Sequence, residues 1–370
     1  MTDTSQTKEK KDLKALSTED LQQFFADLEL ASYRADQVFQ WLYEKGVSDF
    51  SEMTNLSKEL RAELEDIATI NRIQPVHQVE SKDGTVKFLF QLPDEDAFKI
   101  ESVLIPDFYD DGVANRLTVC VSSQVGCVFG CSFCATGNMG FFRNLSHGEI
   151  VDQVQYINDF CEHRFGKKIT NIVYMGMGEP LHNYEAVTES AQIVTDERSI
   201  DLSPKRITVS TVGLTKQIKK LADERQPFNL AVSLHAANDK KRDEIMPINN
   251  SMGLQELKEA IQYYYAVLHR PITYEYLLFD GFNDSPKDAR ELANIVRWVP
   301  SKVNIIMYNN VAGVELKRAR EDRLDAFMKE LIKHDVRATV RRSRGDDIDA
   351  GCGQLAVKEG QMKGKTIRKN

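Results

Sequence analysis

Residues 117–137 read LTVCVSSQVGCVFGCSFCATG. An apolar strand, Leu117–Ser122, runs into a Gly-containing loop, and four of the six cysteines fall within the fifteen residues from 120 to 134. Cys127, Cys131 and Cys134 form C-x3-C-x2-C. Three thiolates gathered by a short loop can bind an iron–sulfur cluster. A four-iron cluster held by three thiolates keeps one iron open for an outside ligand, as a catalytic metal keeps a free position. A zinc site with Cys120 as the fourth thiolate is the competing reading.

Downstream of this loop the pattern alternates strand and helix. Strands are expected at Leu117–Ser122, Asn171–Met175, Arg206–Thr211, Asn229–Leu234, Ile272–Leu278, Val303–Tyr308 and Ala338–Arg341, with helices between them such as Gly148–Cys161, Leu254–Leu268 and Asp288–Trp298. Such alternation implies an α/β fold with a parallel sheet, either doubly wound or a full or partial barrel. In either form ligands sit at the C-terminal strand ends. The cysteine loop, GMGEP (176–180), Ser210 and Ser233–His235 all fall there.

Upstream, residues 73–105 alternate apolar and polar side chains around an Asp83-Gly84 turn, which reads as a β-hairpin and a further strand. Before that, Ser17 opens a helix with Leu21, Phe24, Phe25 and Leu28 on one face; Val38, Trp41 and Leu42 mark a second; Leu60, Leu64 and Ile67 mark a third. The expected organisation is a disordered tail over 1–14, a helical accessory domain over 15–70, a β-hairpin extension over 71–114, a barrel over 115–350, and a cysteine loop with a basic tail over 351–370.

The chain has 370 residues, 42% hydrophobic and 28% charged, which fits a globular protein and excludes low-complexity disorder. No apolar run approaches the roughly 18–20 residues that cross a bilayer, and the polar N-terminus has no apolar leader. We therefore expect a cytoplasmic protein with no membrane partner and no disulfide framework. A formal net charge of −8 rules out a wholly basic nucleic-acid binder. Residues 335–370 nevertheless carry nine Lys/Arg against five Asp/Glu, so a polyanion contact would concentrate there.

Several residues outside the cysteine loop have two readings. Gly176 and Gly178 let a backbone approach a ligand, and Glu179 could accept a hydrogen bond from an ammonium; a tight turn accounts for them equally. His235 reads as a ligand contact or as a core histidine. Cys352, between Gly351 and Gly353, reads as an exposed loop thiol, and Cys120 as a second thiol near the cluster loop. Cys161 carries no motif and reads as structural. Glu101 lies within an apolar strand and faces either solvent or a pocket.

C-x3-C-x2-C with Phe133 before the last cysteine resembles the radical S-adenosylmethionine enzymes. The longer string CVSSQVGCVFGCSFCATG, with MGMGEP (175–180), VSLHAAND (232–239) and GDDIDAGCGQL around Cys352, resembles the RlmN/Cfr family of radical SAM RNA adenine methyltransferases over about residues 15–357. The resemblance implies a partial (β/α)6 barrel. It implies a [4Fe–4S] cluster on Cys127, Cys131 and Cys134, and S-adenosylmethionine, two per turnover, bound by Gly178, Glu179, Ser210, Ser233, Leu234, His235 and Asn309. Gly351 stands where alanine is common in the family.

Adenine C2 is electron-poor and has no lone pair to attack a sulfonium, so its methylation calls for radical chemistry. The resemblance implies that Cys352 is methylated by one S-adenosylmethionine. A 5′-deoxyadenosyl radical from the second then takes hydrogen from that methyl group, and the methylene radical adds to C2. Glu101 is implied as proton acceptor, with Cys120 the alternative group for removing the C2 proton, and Cys120 is implied as the thiol that resolves the protein–RNA adduct through a transient disulfide with Cys352. The implied partners are 23S rRNA, tRNA and a low-potential electron donor such as flavodoxin, with the protein a monomer. Arg337, Arg341, Arg342 and Arg344, and Lys363, Lys365, Arg368 and Lys369, are candidate phosphate contacts. Methylation at C8 and a non-catalytic zinc-stabilised RNA-binding module are the alternatives.

Overall fold

The computed structural model describes residues 10–357. Its main sheet has ten strands: β1 Gln74–Glu80, β2 Val86–Gln91, β3 Lys99–Phe108, β4 Ala114–Cys120, β5 Asn171–Tyr174, β6 Ile207–Thr211, β7 Asn229–Ser233, β8 Ile272–Leu278, β9 Ser301–Met307 and β10 Ala338–Arg341. They lie side by side in sequence order. The pairings from β1 to β4 are antiparallel and those from β4 to β10 are parallel.

That order discriminates between the two α/β expectations. A doubly wound sheet reverses its strand order at a switch point. A barrel winds in one direction with a helix after each strand. Here the winding never reverses, and β4 to β9 make the six strands of a partial barrel. β10 adds a seventh parallel strand at one edge, and β3 occupies the other edge, so the hairpin region is continuous with the barrel sheet. The crossover helices are α4 His147–Phe165, α5 Tyr184–Thr195, α6 Thr215–Asp223, α7 Leu254–Leu268, α8 Pro286–Val296 and α9 Glu321–Lys333, numbered after three N-terminal helices. The parallel strands carry near-continuous apolar runs because both faces are covered: Tyr274, Tyr276, Leu277 and Leu278 of β8 are all buried.

The N-terminal helices are α1 Thr18–Asp27, α2 Tyr33–Tyr43 and α3 Lys58–Ile67. Ser17 and Ser57 cap α1 and α3 by accepting from the Asp20 and Leu60 N–H groups. Leu21, Phe25, Val38, Leu42, Leu60 and Leu64 are buried together, as their helical spacing requires. Order starts before residue 15, however. Lys11–Asp12 pairs with Ala68–Thr69, and the Lys14 ammonium is buried against Asp152 of α4. The same carboxylate accepts from Arg72 Nε at 2.9 Å and from the Ile73 N–H at 3.2 Å. The tail boundary at 14 is therefore corrected for residues 10–14: a buried ion pair to the barrel orders them. Residues 1–9 lie outside the described residues, as does the basic tail from 358. Among the described residues no helix is long and apolar enough to cross a membrane.

Candidate active site

The cysteine loop rises from the C-terminal end of β4. Gln124–Gly126 pairs with Phe141–Asn144, and the Cys127 N–H donates to Gly140 O at 2.9 Å, which closes the loop at its base. Gly126 sits at φ +75°, and a Cβ there would overlap Gly140 O, so the closure requires glycine. Above the closure, Cys127, Cys131 and Cys134 line one cavity together with Gly178, Glu179, Ser210, Ser233, His235 and Cys352. Phe133 points inward and packs edge-on against His235, ring centroids 4.9 Å apart.

Burial pushes all three thiols up, Cys127 to about 12, so their thiolates need a cation beside them. Among the described residues no three ligating side chains converge on a point that would hold a single metal ion. Three thiols around one shared space can hold a polynuclear cluster. Cys120 lines a different cavity, so it is not placed as a fourth ligand to these three.

The remaining cofactor candidates divide. The Glu179 carboxylate accepts from the Leu181 N–H at 3.1 Å and the Val212 N–H at 2.9 Å, and burial pushes it up to about 7. Gly178, at φ +96°, is needed for a nearer reason than a ligand: a Cβ would lie 2.5 Å from Gln124 Cβ. Ser210 and Ser233 hydroxyls lie 3.3 Å apart on neighbouring strands. His235 is buried and also borders the cavity. It accepts from the Leu277 N–H at 3.1 Å through Nδ1 and is pushed down to about 3 by burial, hence neutral. Leu234 has a buried side chain outside the lining; its N–H donates to Glu275 O at 3.0 Å and its carbonyl accepts from Arg242 Nε at 3.2 Å. Asn309 also lies outside the lining. Its Nδ2 donates to Gln354 at 3.2 Å beside the Cys352 segment.

Glu275 was missed by the sequence reading. It lies mid-strand in β8, is 3% exposed, and lines the cavity. Asn304 Nδ2 donates to Oε1 at 2.8 Å and is itself held by Thr339, while Oε2 has no partner among the described residues. The signal was available: a carboxylate inside ITYEYLL, a strand buried on both faces.

A second cavity adjoins the first. Cys120, Arg116, Arg341, Arg342 and Arg344 line it, with Asp107, Glu321 and Asp325 among them. Cys352, exposed, borders both cavities. Burial pushes Cys120 up to about 12, with Arg341 pulling the other way. Arg337 is exposed outside this lining. Lys363, Lys365, Arg368 and Lys369 lie outside the described residues. Glu101 borders neither cavity. It is buried, accepts from the Ala356 N–H at 3.0 Å, and pairs with Lys87 at 3.1 Å. Burial raises its pKa and Lys87 opposes that rise. All six cysteines are free thiols, and Cys161 is buried within α4 away from both cavities.

Three cysteines on a loop above the first strand of a one-way-wound barrel define a radical S-adenosylmethionine enzyme, and residues 121–293 match the Radical SAM superfamily. Residues 11–70 match the ribosomal RNA large subunit methyltransferase N-terminal domain. The chain is 53% identical to the probable dual-specificity RNA methyltransferase RlmN of Salinibacter ruber, over 93% of this chain and 94% of that one. It is 45% identical to the protein of the same name from Cytophaga hutchinsonii, over 97% and 96%. A crystal structure of a radical SAM methyltransferase from Sphaerobacter thermophilus superimposes with a TM-score of 0.85 at 42% identity, covering 93% of this chain and 99% of that one. The chain belongs to the RlmN family of radical SAM RNA methyltransferases, enzymes that use a [4Fe–4S] cluster and S-adenosylmethionine.

Proposed function

We propose that this enzyme methylates C2 of adenine in 23S rRNA and in tRNA, in the cytoplasm, with electrons from a flavodoxin-like donor. The observation that carries the reading is the position of Cys352. It borders a cavity lined by three cysteines and a second one lined by four arginines and Cys120. A thiol at that junction can meet a cofactor from one side and a polyanion's base from the other.

Cys127, Cys131 and Cys134 would hold the cluster. Gly178, Glu179, Ser210, Ser233, His235 and the Leu234 backbone would hold S-adenosylmethionine, and Asn309 would join them by turning from Gln354. The unpartnered Glu275 oxygen fits a cofactor that brings hydroxyl or amine donors, since a buried orphan acceptor is costly without one. When bound, the cluster and S-adenosylmethionine supply a carbon-centred radical able to take hydrogen from a methyl group. Cys352 carries the methyl group to the base. Glu101 accepts the C2 proton. The adduct's odd electron would return to the oxidised cluster as the C2 proton leaves; the Cys120 thiolate then attacks the Cys352 sulfur, the S–CH2 bond breaks with its electron pair passing to the methylene carbon, and a proton taken up there completes the methyl group and leaves a Cys120–Cys352 disulfide. Arg116, Arg341, Arg342 and Arg344 bind phosphates around an unstacked adenine.

The test uses anaerobic, cluster-loaded protein with S-adenosylmethionine, a reductant and either a 23S rRNA fragment or tRNA, read by nucleoside mass spectrometry. 2-Methyladenosine in both RNAs is the expected result. 8-Methyladenosine moves the site of attack. No methylated adenosine, with S-adenosylmethionine still cleaved, removes the RNA assignment.

A further inference from the structure

The segment that bears Cys352 is not a free loop. Upstream of the thiol it docks on the turn between β1 and β2. Ser81 Oγ donates to Asp347 at 2.5 Å, the Gly345 N–H donates to Asp83 at 3.0 Å, and Lys87 Nζ donates to Asp349 O at 3.2 Å. Downstream of the thiol, the Ala356 N–H donates to Glu101 Oε2 at 3.0 Å. The other Glu101 oxygen, Oε1, pairs with Lys87 at 3.1 Å. One ammonium on β2 therefore touches the β3 carboxylate and the residue three before Cys352. The carboxylate in turn touches the residue four after it. Both partners are largely out of solvent, with side-chain exposures of 15% for Lys87 and 9% for Glu101.

We propose that Lys87 is a positioning residue for methyl transfer: its ammonium fixes the Glu101 carboxylate and the Cys352 segment against each other. The inference rests on the reading of Glu101 as proton acceptor and Cys352 as methyl carrier. The chemistry explains why a lysine is useful there. Burial alone favours the protonated carboxyl, which cannot accept a proton. Lys87 opposes this and favours the anion, without cancelling the effect of burial; Asp349, the other charged group that faces it, works against the anion. When Glu101 takes the proton, the C–H electron pair returns to the ring, the adduct's odd electron would pass to the oxidised cluster, and the Lys87 ion pair becomes a hydrogen bond from the ammonium to a neutral carboxyl. The grip on Asp349 O remains, so the thiol stays placed while the adduct awaits Cys120.

The experiment compares cluster-loaded wild type with Lys87→Met and Lys87→Arg. The first readout is hydrogen–deuterium exchange without RNA. Lys87→Met should speed exchange in peptides over 345–357 and leave those over 127–140 unchanged. The second is the pH profile of methyl transfer. Lys87→Met should lower the rate on the order of 10- to 100-fold and move the acidic limb to higher pH, because Glu101 loses its cationic partner. Lys87→Arg should restore both the limb and the slower exchange. Wild-type exchange and a wild-type pH profile in Lys87→Met would overturn the proposal. So would a slowed enzyme whose limb stays in place, since that is the mark of a merely structural side chain. Glu101→Gln separates the underlying reading: full methylation in that variant removes the proton-acceptor role itself. An inactive Glu101→Gln beside a normal Lys87→Met removes only the role of Lys87.

Discussion

The loop from Cys127 to Gly140 is closed at its own base by one backbone hydrogen bond of 2.9 Å, whereas the segment from Gly345 to Leu355 takes side-chain anchors from residues as far as 266 positions away. The first carries its chemistry in a spacing of eight residues. The second borrows its geometry from the β1–β2 turn, from Glu101, and from the cluster loop, where Thr136 Oγ1 donates to Leu355 O at 2.5 Å and the Ala135 N–H to Gly353 O at 2.7 Å. A loop closed at its base depends less on its neighbours than a segment anchored mainly by them, although the cluster loop too has outside contacts, from the Ser132 N–H to Ile245 O at 3.0 Å and from the Tyr308 hydroxyl to Phe133 O at 3.2 Å. Damage to the cluster loop should therefore abolish everything, and damage to the Cys352 segment should uncouple cofactor cleavage from methyl transfer.

The largest effect is expected for Cys127→Ala, Cys131→Ala or Cys134→Ala. Each should remove the broad visible absorbance of the cluster and with it both 5′-deoxyadenosine release and methylation. A variant that kept a full cluster would break the assignment of that ligand. Next come the two outlying thiols. Cys352→Ala should retain absorbance and bind S-adenosylmethionine, yet give neither methyl product nor covalent adduct. Cys120→Ala should accumulate a protein–RNA crosslink, visible as a shifted band on a denaturing gel. Normal turnover by Cys120→Ala would exclude a resolving role for it.

A smaller effect is expected at Gly351, where a Cβ would overlap the Asn309 amide and lie 2.8 Å from Gln354 Oε1. Gly351→Ala must push Asn309 away from Gln354 or lift the segment. Overpacking of this kind costs about 1–3 kcal/mol. Methylation should fall on the order of 10-fold, with cluster absorbance unchanged. If the rate instead rose, the displaced Asn309 would be turning into the cofactor cavity, and glycine would be the reason it faces Gln354 in this chain.

The same contrast governs what the sequence could disclose. Strand and helix positions from 117 to 341 follow from apolar periodicity, and the three cysteines from their spacing, because both signals are local. One-way winding is a property of pairing between strands and leaves no local mark. Glu101 and Glu275 carry the same signal, a carboxylate inside an apolar strand, yet only Glu101 drew notice, and the resemblance alone gave it a role. Asn309 entered as a cofactor contact through the resemblance alone, and its contact with Gln354, 45 residues on, leaves no local mark in the sequence. Lys14 looked like part of a disordered polar tail for the same reason: its partner Asp152 is 138 residues away. The β1–β2 turn read as a plain hairpin turn, and its service as a docking platform exists only in three dimensions.

That platform offers the finest test. Asp83 Oδ2 accepts from the Gly345 N–H at 3.0 Å, and Oδ1 accepts from the Thr85 N–H at 2.9 Å. Partial burial would raise this carboxyl, but the bonds from Thr85 and Gly345 outweigh it and hold its pKa below the ordinary 3.8. A folded value below the unfolded one means the contact is fully present above the ordinary range and is lost as pH falls through the depressed value. At neutral pH, Asp83→Asn removes the charge and keeps the shape. The Ser81–Asp347 and Lys87–Asp349 contacts remain, so exchange over 345–350 should quicken and methylation should fall no more than about threefold. Exchange over 127–140 should not change. A loss as large as that expected for Lys87→Met would mean that the turn holds the Cys352 segment in place, and Lys87 would then act on Glu101 alone.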